Sequence, residues 1–277
     1  MSEIAMPYLA LLYPAHLYAA RARRQSTLPR LPKSRRADTP TFPDAAPEAR
    51  MSLFKRLATW ERDLRQSYNT DLSTPENRRR AHIYNLWFDH AILRGLWTNE
   101  FEVAPGVWRS NHPTHKRFAT MKARGIKSIL NLRGSAGAAH YLTEKESCAA
   151  LGLTLVDVTL HARYAVPPAD IAALIEAFRT IERPFVMHCK SGADRAGFAS
   201  AIYLMVIEGR PVSEARKMLG LRFLHVKRSR TGVLDYILDL YEARHAETGI
   251  GFEDWVQTEY DHAQVQADFE ANFKPWF

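Results

Sequence analysis

One run leaves this chain little freedom in how it folds: Phe185-Val186-Met187-His188-Cys189-Lys190-Ser191-Gly192-Ala193-Asp194-Arg195-Ala196-Gly197. After Pro184, Phe185 to His188 read as a short buried strand, and Phe198 to Ile207 read as a helix apolar on nearly every face. The segment between them joins a strand to the N-terminus of a core helix. Successive backbone N–H groups of such a turn point inward and the helix end adds positive potential, so the loop from Lys190 through Ser191, Gly192 and Ala193 is built to bind an anion.

Cys189 sits at the base of that pocket, where the same field favours thiolate over thiol. Arg195 can curl back to offer a planar fork that suits two oxygens of a phosphoryl group. Gly192 lets the turn close, and Gly197 is expected to let the helix approach the sheet. A buried inert cysteine in an ordinary turn is the plainer alternative. Metal binding has less support, because neither a second cysteine nor a close histidine supplies ligand spacing.

His188-Cys189-x-x-Gly192-x-x-Arg195 resembles the signature of the cysteine-dependent protein tyrosine and dual-specificity phosphatases. The resemblance covers roughly residues 101 to 220. Gly125 to Arg133 is similar to the strand before the loop that lines their site, and Arg109-Ser110-x-x-Pro113 to their first-strand exit. It implies displacement of phosphate by Cys189, a phosphocysteine intermediate, and charge stabilisation by Arg195 and the loop amides, with no metal or other cofactor. His188 resembles the family histidine that orients the loop.

Two departures stand out. Relatives carry an aspartate in the loop after the preceding strand, but Leu160 to Pro168 holds no carboxylate. The candidate proton donors are then Asp194, placed as in the myotubularin-like phosphatases, and Asp157, which falls within a strand. Ala196 replaces the usual serine or threonine, as in phosphatases of the regenerating-liver type, which implies slow hydrolysis of phosphocysteine. A catalytically weak phosphate-binding module is therefore the alternative to an active phosphatase.

Strand-like runs at Val107–Ser110, Ile126–Leu132, Thr154–Val158 and Phe185–His188 alternate with helical ones at Lys116–Arg124, Thr143–Leu151 and Pro168–Ile181. The expected fold is α/β, a central sheet flanked by helices, dual-specificity-phosphatase-like, with helical N- and C-terminal extensions. The phosphatase domain spans 101–277, its C-terminal extension beginning at about 225 with helices Arg230–Glu247 and Phe252–His262. Residues 1–50 hold seven of the fifteen prolines and eight basic residues, and read as a disordered leader. Residues 51–100 read as a helical extension, with Ser73-Thr74-Pro75-Glu76 a capped start.

The cytoplasm is the expected compartment. The longest apolar stretch, Ile4 to Ala20, is broken by Pro7, Pro14 and His16, and the two cysteines, Cys148 and Cys189, suit a reducing environment. Arg78, Arg79 and Arg80 followed by Tyr84, Leu86, Trp87, Phe88, Ile92, Leu93 and Trp97 fit either a peripheral helix at an anionic inner membrane surface or aromatics packed on the catalytic domain. The substrate is a phosphoprotein or a phospholipid. Lys190 resembles the lysine after the nucleophile in inositol-lipid and phosphatidylglycerophosphate phosphatases. The net charge of +8, Arg163 and the run His225 to Arg230 point the same way. No motif indicates specific nucleic-acid binding.

Overall fold

The computed structural model describes residues 53–273 apart from 90–93, 95 and 136. The leader of residues 1–50 lies outside them, as do Ile92 and Leu93. The chain divides after Leu64 into two units. Helix α1 (Leu53–Tyr68) begins in the first and ends in the second, and every later element belongs to the second. Thr74 caps α2 (Pro75–Ile83), its Oγ1 accepting from the Asn77 N–H at 3.1 Å, and Pro75 supplies a first-turn residue that needs no hydrogen bond. The chain then passes into a π-helical turn, Tyr84–Phe88, that closes at Asp89.

Strand β1 (Phe101–Ala104) pairs antiparallel with β2 (Val107–Ser110) through Pro105-Gly106, with Gly106 at φ 74°. Then come α3 (His115–Ala123), β3 (Ser128–Asn131), α4 (Ala139–Leu151), β4 (Thr154–Asp157), α5 (Pro168–Thr180), β5 (Phe185–His188) and α6 (Asp194–Val206). The sheet order is β1-β2-β5-β3-β4, and every pair beyond the first hairpin is parallel. The strand leading to Cys189 is thus the central one. Ser110, His188, Asn131 and Asp157 lie side by side at the carboxyl ends of four strands. In parallel sheets that edge is where ligands bind.

Alternation along β5 splits the core. Phe185 and Met187 face α5 and α6, whereas Val186 joins Phe118, Met121, Ile129 and Cys148 on the side of α3 and α4. His188 shares the parity of Val186 and so faces α4. Helix α6 is apolar all round because it is covered all round: Phe198, Ala199, Ala201, Ile202 and Tyr203 are fully buried.

The cover comes from α7 (Val212–Ala215), α8 (Val233–Thr248), α9 (Phe252–Thr258) and α10 (His262–Asn272). Val233, Ile237, Leu238 and Tyr241 of α8 belong to the same cluster as α6. The helix expected over Phe252–His262 is instead two helices. The break falls at Glu259 to Asp261, where the Asp261 carboxylate accepts from the Ala263 and Gln264 N–H groups and starts α10.

Trp255 of α9 is 5% exposed and stacks among Tyr241, Phe252 and Tyr260. Trp255→Ala should lower unfolding free energy by about 3–5 kcal/mol, read by chemical denaturation. A loss under about 1 kcal/mol would show that the C-terminal helices are not part of the cooperative core.

Candidate active site

The loop from Cys189 to Arg195 leaves the central strand at its carboxyl end and feeds α6. Gly192 has φ 73°, and a Cβ there would lie 2.7 Å from the Asn111 nitrogen and 2.8 Å from the Ser110 carbonyl carbon. Only glycine fits such a turn pressed on the end of β2. Gly197 also stands at a close approach: its Cβ would meet the Met218 carbonyl oxygen at 2.7 Å, Leu219 at 2.9 Å and the guanidinium of Arg109, a residue of β2, at 3.3 Å, so both the segment after α7 and a side chain of the sheet press on it.

Arg109, wholly buried on β2, braces the loop from beneath. One terminal nitrogen donates to the Gly192 carbonyl at 2.6 Å and the Ala193 carbonyl at 3.1 Å. The other donates to the Met218 carbonyl at 2.6 Å, and the guanidinium lies 3.9 Å from the centre of the Phe223 ring. Burial lowers its pKa to about 10, against the opposing pull of Cys189 and Asp194. A trans peptide sets its N–H opposite its C=O. Drawing the carbonyls of residues 192 and 193 toward Arg109 therefore turns the N–H groups of 193 and 194 to the other side. That of Ala193 donates to Ser191 Oγ at 3.3 Å. Cys189 is 2% exposed, and Arg195, half-buried, is the second residue of α6.

Asp194 is not presented as a proton donor. Its Oδ1 lies 2.7 Å from His225 Nδ1, and the other ring nitrogen lies 2.6 Å from Asp235 Oδ2. All three side chains are buried. Burial works against a charged ring, but the bonds to Asp194 and Asp235 outweigh it and raise His225 to about 9. Burial likewise opposes the charged form of Asp194, yet His225, with Thr231 and Arg195, holds its carboxyl below the usual range. His225 thus belongs to the loop's support, although its run reads as anion-attracting in the sequence. Lys227 of that run pairs with Asp239 at 2.9 Å.

Asp157 ends β4 as expected. It accepts from Asn131 Nδ2 at 2.9 Å and from the Tyr141 hydroxyl at 2.7 Å. Lys190 Nζ lies 3.7 Å from Asp89, a residue that no motif singles out. Asp89 is buried and takes both terminal nitrogens of Arg133, at 3.0 and 2.8 Å, and Arg94 at 2.5 Å. Burial disfavours its ionised form, but the two guanidiniums hold its carboxyl well below the usual range. Arg163 is exposed, beside exposed Tyr164, in the loop between β4 and α5.

On the α4 side of the sheet, His188 Nε2 lies 2.5 Å from Glu144 Oε1, and His112 Nδ1 lies 3.8 Å from Glu144 Oε2. Among the described residues this trio places one ligand-type atom each within 4.8 Å, which no sequence spacing announced. Arg133 stands 3.3 Å from His112 Nδ1, and its charge opposes a cation there. Burial, then the neighbouring His188 and Arg133, hold His112 well below its ordinary pKa, so its ring is neutral and accepts from the guanidinium. His112 and Glu144 also line a cavity of about 600 Å³ with Asn85, Arg94, Thr143 and Ser147.

The basic and aromatic residues of the N-terminal extension divide between protein partners and solvent. Arg78 forms a two-pronged pair with Glu146 at 2.8 Å, and Arg80 donates to the Ser67 carbonyl and stacks on Tyr68, so two of the three arginines are engaged within the protein. Trp87, at 61%, and Leu96, at 81%, stay exposed. Among the described residues no helix is long and apolar enough to cross a membrane.

Residues 95–231 match the family described as a dual-specificity-type phosphatase fused to NAD+ kinase. Dual specificity protein phosphatase TpbA of Pseudomonas aeruginosa (strain UCBPP-PA14) is 25% identical over 115 residues, which are 40% of this chain and 48% of that protein. The chain thus spans about half the length of the curated relative it matches. Among solved structures, P. aeruginosa TpbA is 21% identical with a TM-score of 0.41, over 53% of this chain and 91% of that one. The catalytic core of the PP-IP phosphatase SIW14 from S. cerevisiae is 17% identical with a TM-score of 0.37, over 63% and 92%.

Because His225 gains its proton affinity on folding, its contribution to stability is fully present below about pH 6.5 and lost as pH rises through about 9. Wild type should therefore exceed His225→Gln in unfolding free energy most at mildly acidic pH, with the gap closing in alkali. Urea denaturation across that range checks it: a gap independent of pH would show that folding leaves the ring's proton affinity unchanged, and a gap that shrinks toward acid would show that the ring is held neutral in the fold.

Proposed function

Since this chain belongs to the superfamily of cysteine-dependent protein tyrosine and dual-specificity phosphatases, we propose that it hydrolyses phosphomonoesters at Cys189 and favours aryl esters such as phosphotyrosine. The observation that carries the reading is the loop itself. Cys189 lies at its base, at the carboxyl end of the central strand, with carbonyls drawn to Arg109 and amides turned the other way.

In the first step Cys189 sulfur attacks phosphorus and the bond to the ester oxygen breaks. The loop amides from Lys190 to Ala193, with the guanidinium of Arg195, hold the phosphoryl oxygens as charge shifts onto them. In the second step water attacks phosphorus, the P–S bond breaks, inorganic phosphate leaves and the thiolate is restored. His188 keeps the loop and nucleophile oriented.

The choice of aryl esters follows from the carboxylates. Asp194 is committed to His225, and Asp157 to Asn131 and Tyr141. Neither is offered to a leaving oxygen. A phenolate, whose acid has a pKa of about 10, departs with little help, whereas a serine alkoxide needs a proton in the transition state. A highly anionic lipid is also less favoured as substrate, because Lys190 lies beside Asp89 and Lys227 beside Asp239. The second reading, a phosphate-binding module with weak turnover, keeps one support: Ala196 is wholly buried and has no hydroxyl to assist the departing sulfur.

Cys189→Ser should abolish hydrolysis of an aryl phosphate while vanadate binding persists, since Arg195 and the amides remain. Turnover near wild type would remove Cys189 as nucleophile. Across aryl and alkyl phosphates, wild-type kcat/KM should fall steeply as the leaving group becomes more basic, and Asp194→Asn should not steepen it further. If Asp157→Asn or Asp194→Asn slowed only the poor leaving groups, that carboxylate would be the proton donor. A panel of phosphotyrosine peptides, phosphoinositides and other lipid phosphates tests the substrate class.

A further inference from the structure

Glu144 is a carboxylate in the middle of the inward face of α4, 1% exposed. Its neighbours on that face, Tyr141, Ser147 and Cys148, are buried too. An ionised group in such a place costs several kcal/mol unless another polar group meets it, and here the partner is His188, one residue before the nucleophile. Both side chains have no exposure, and Glu144 Oε1 lies 2.5 Å from His188 Nε2. The His112 ring meets the His188 ring edge-on at 4.9 Å and closes its other flank. His188 Nδ1 is buried and makes no hydrogen bond among the described residues, so the ring's orientation rests on the bond at Nε2.

We propose that Glu144 is a positioning residue for the phosphoryl-transfer reaction. By accepting from Nε2–H it holds His188 in one tautomer and one ring orientation. Because His188 and Cys189 share a peptide unit, the same bond fixes the start of the loop and the place of the sulfur. The carboxylate comes from a helix 44 residues earlier in the chain, packed on the far side of the strand, so a side chain that never meets substrate sets the nucleophile's alignment. This inference rests on Cys189 being the nucleophile.

The test compares Glu144→Leu, which removes the acceptor at similar size, with Glu144→Gln, whose amide oxygen can still accept. Glu144→Leu should lower kcat on an aryl phosphate by about 10²-fold with KM nearly unchanged, and Glu144→Gln should recover at least about tenfold of that loss. In a double-mutant cycle, Glu144→Leu should add nothing to His188→Asn, because it acts through that ring. Nitrogen-15 NMR of the imidazoles should show His188 protonated at Nε2 in wild type and in Glu144→Gln.

Wild-type kcat in Glu144→Leu would overturn the proposal, as would losses that multiply in the double variant. A purely structural role would lower the melting temperature without that kcat-against-KM split. If Glu144→Leu does not fold, the NMR decides: His188 protonated at Nδ1 in wild type overturns the proposal. Turnover surviving in Cys189→Ser would instead overturn the phosphatase reading and leave the tautomer of His188 standing.

Discussion

A guanidinium in the dry interior of the protein holds the candidate site together. Arg109 has no exposure and, among the described residues, no carboxylate bonded to it; it meets the carbonyls of Gly192, Ala193 and Met218 and the face of Phe223. Burying a charge without such partners is prohibitive, so the loop, the segment after α7 and the ring must all be in place at once. The cost is offset only in the finished fold. That couples the Cys189 loop to residues far along the chain, and Gly192 and Gly197 stand where a Cβ would meet neighbouring backbone at 2.7 Å.

Two further sets of buried polar groups flank the loop, and each brings opposite charges together. On the α6 side, Asp194, His225 and Asp235 form a chain in which one cationic ring serves two carboxylates. On the α4 side, Asp89 collects Arg133 and Arg94, Arg133 reaches His112, and His112 and Glu144 enclose His188. Buried hydrogen-bonded networks of this kind stiffen what they surround, since breaking one of their bonds leaves a further buried polar group unsatisfied. For the reaction proposed, such stiffness would leave little reorganisation for the moment when a dianion meets the loop amides. The same pairing engages Asp194 and Asp157, the two carboxylates on which the proposed preference for aryl esters rests.

The C-terminal helices serve this arrangement as well as the core. Asp235 belongs to α8, whose apolar residues Val233, Leu234, Ile237 and Leu238 join the same core as α6, so a helix that extends the core also supplies the second carboxylate to His225. The N-terminal extension has a comparable double role. Asp89, at the end of the π-helical turn, sits within reach of Lys190 and Arg133, while Trp87 in the same turn faces solvent.

The sequence alone determined the central strand, the glycine turn, the buried helix, and the places of the cysteine and arginine between them. Those depend on local rules: alternation along Phe185 to His188, an all-apolar helix, and a positive φ that Gly192 alone accepts. The main helices and strands followed from periodicity, apart from β1, whose burial alternates only weakly because it is the edge strand of the sheet. The surroundings of the loop were decided by tertiary structure. Arg109, Asp89, Arg133, Glu144 and His225 stand at separations set by strand order and helix packing, so no spacing rule reveals them. The proton affinities of Asp89, Arg109 and His225 are likewise set by burial and partners. Asp194 shows the difference most plainly: its place beside Arg195 suggested a proton donor, and the fold pairs it with a histidine 31 residues away that holds its carboxyl below the usual range.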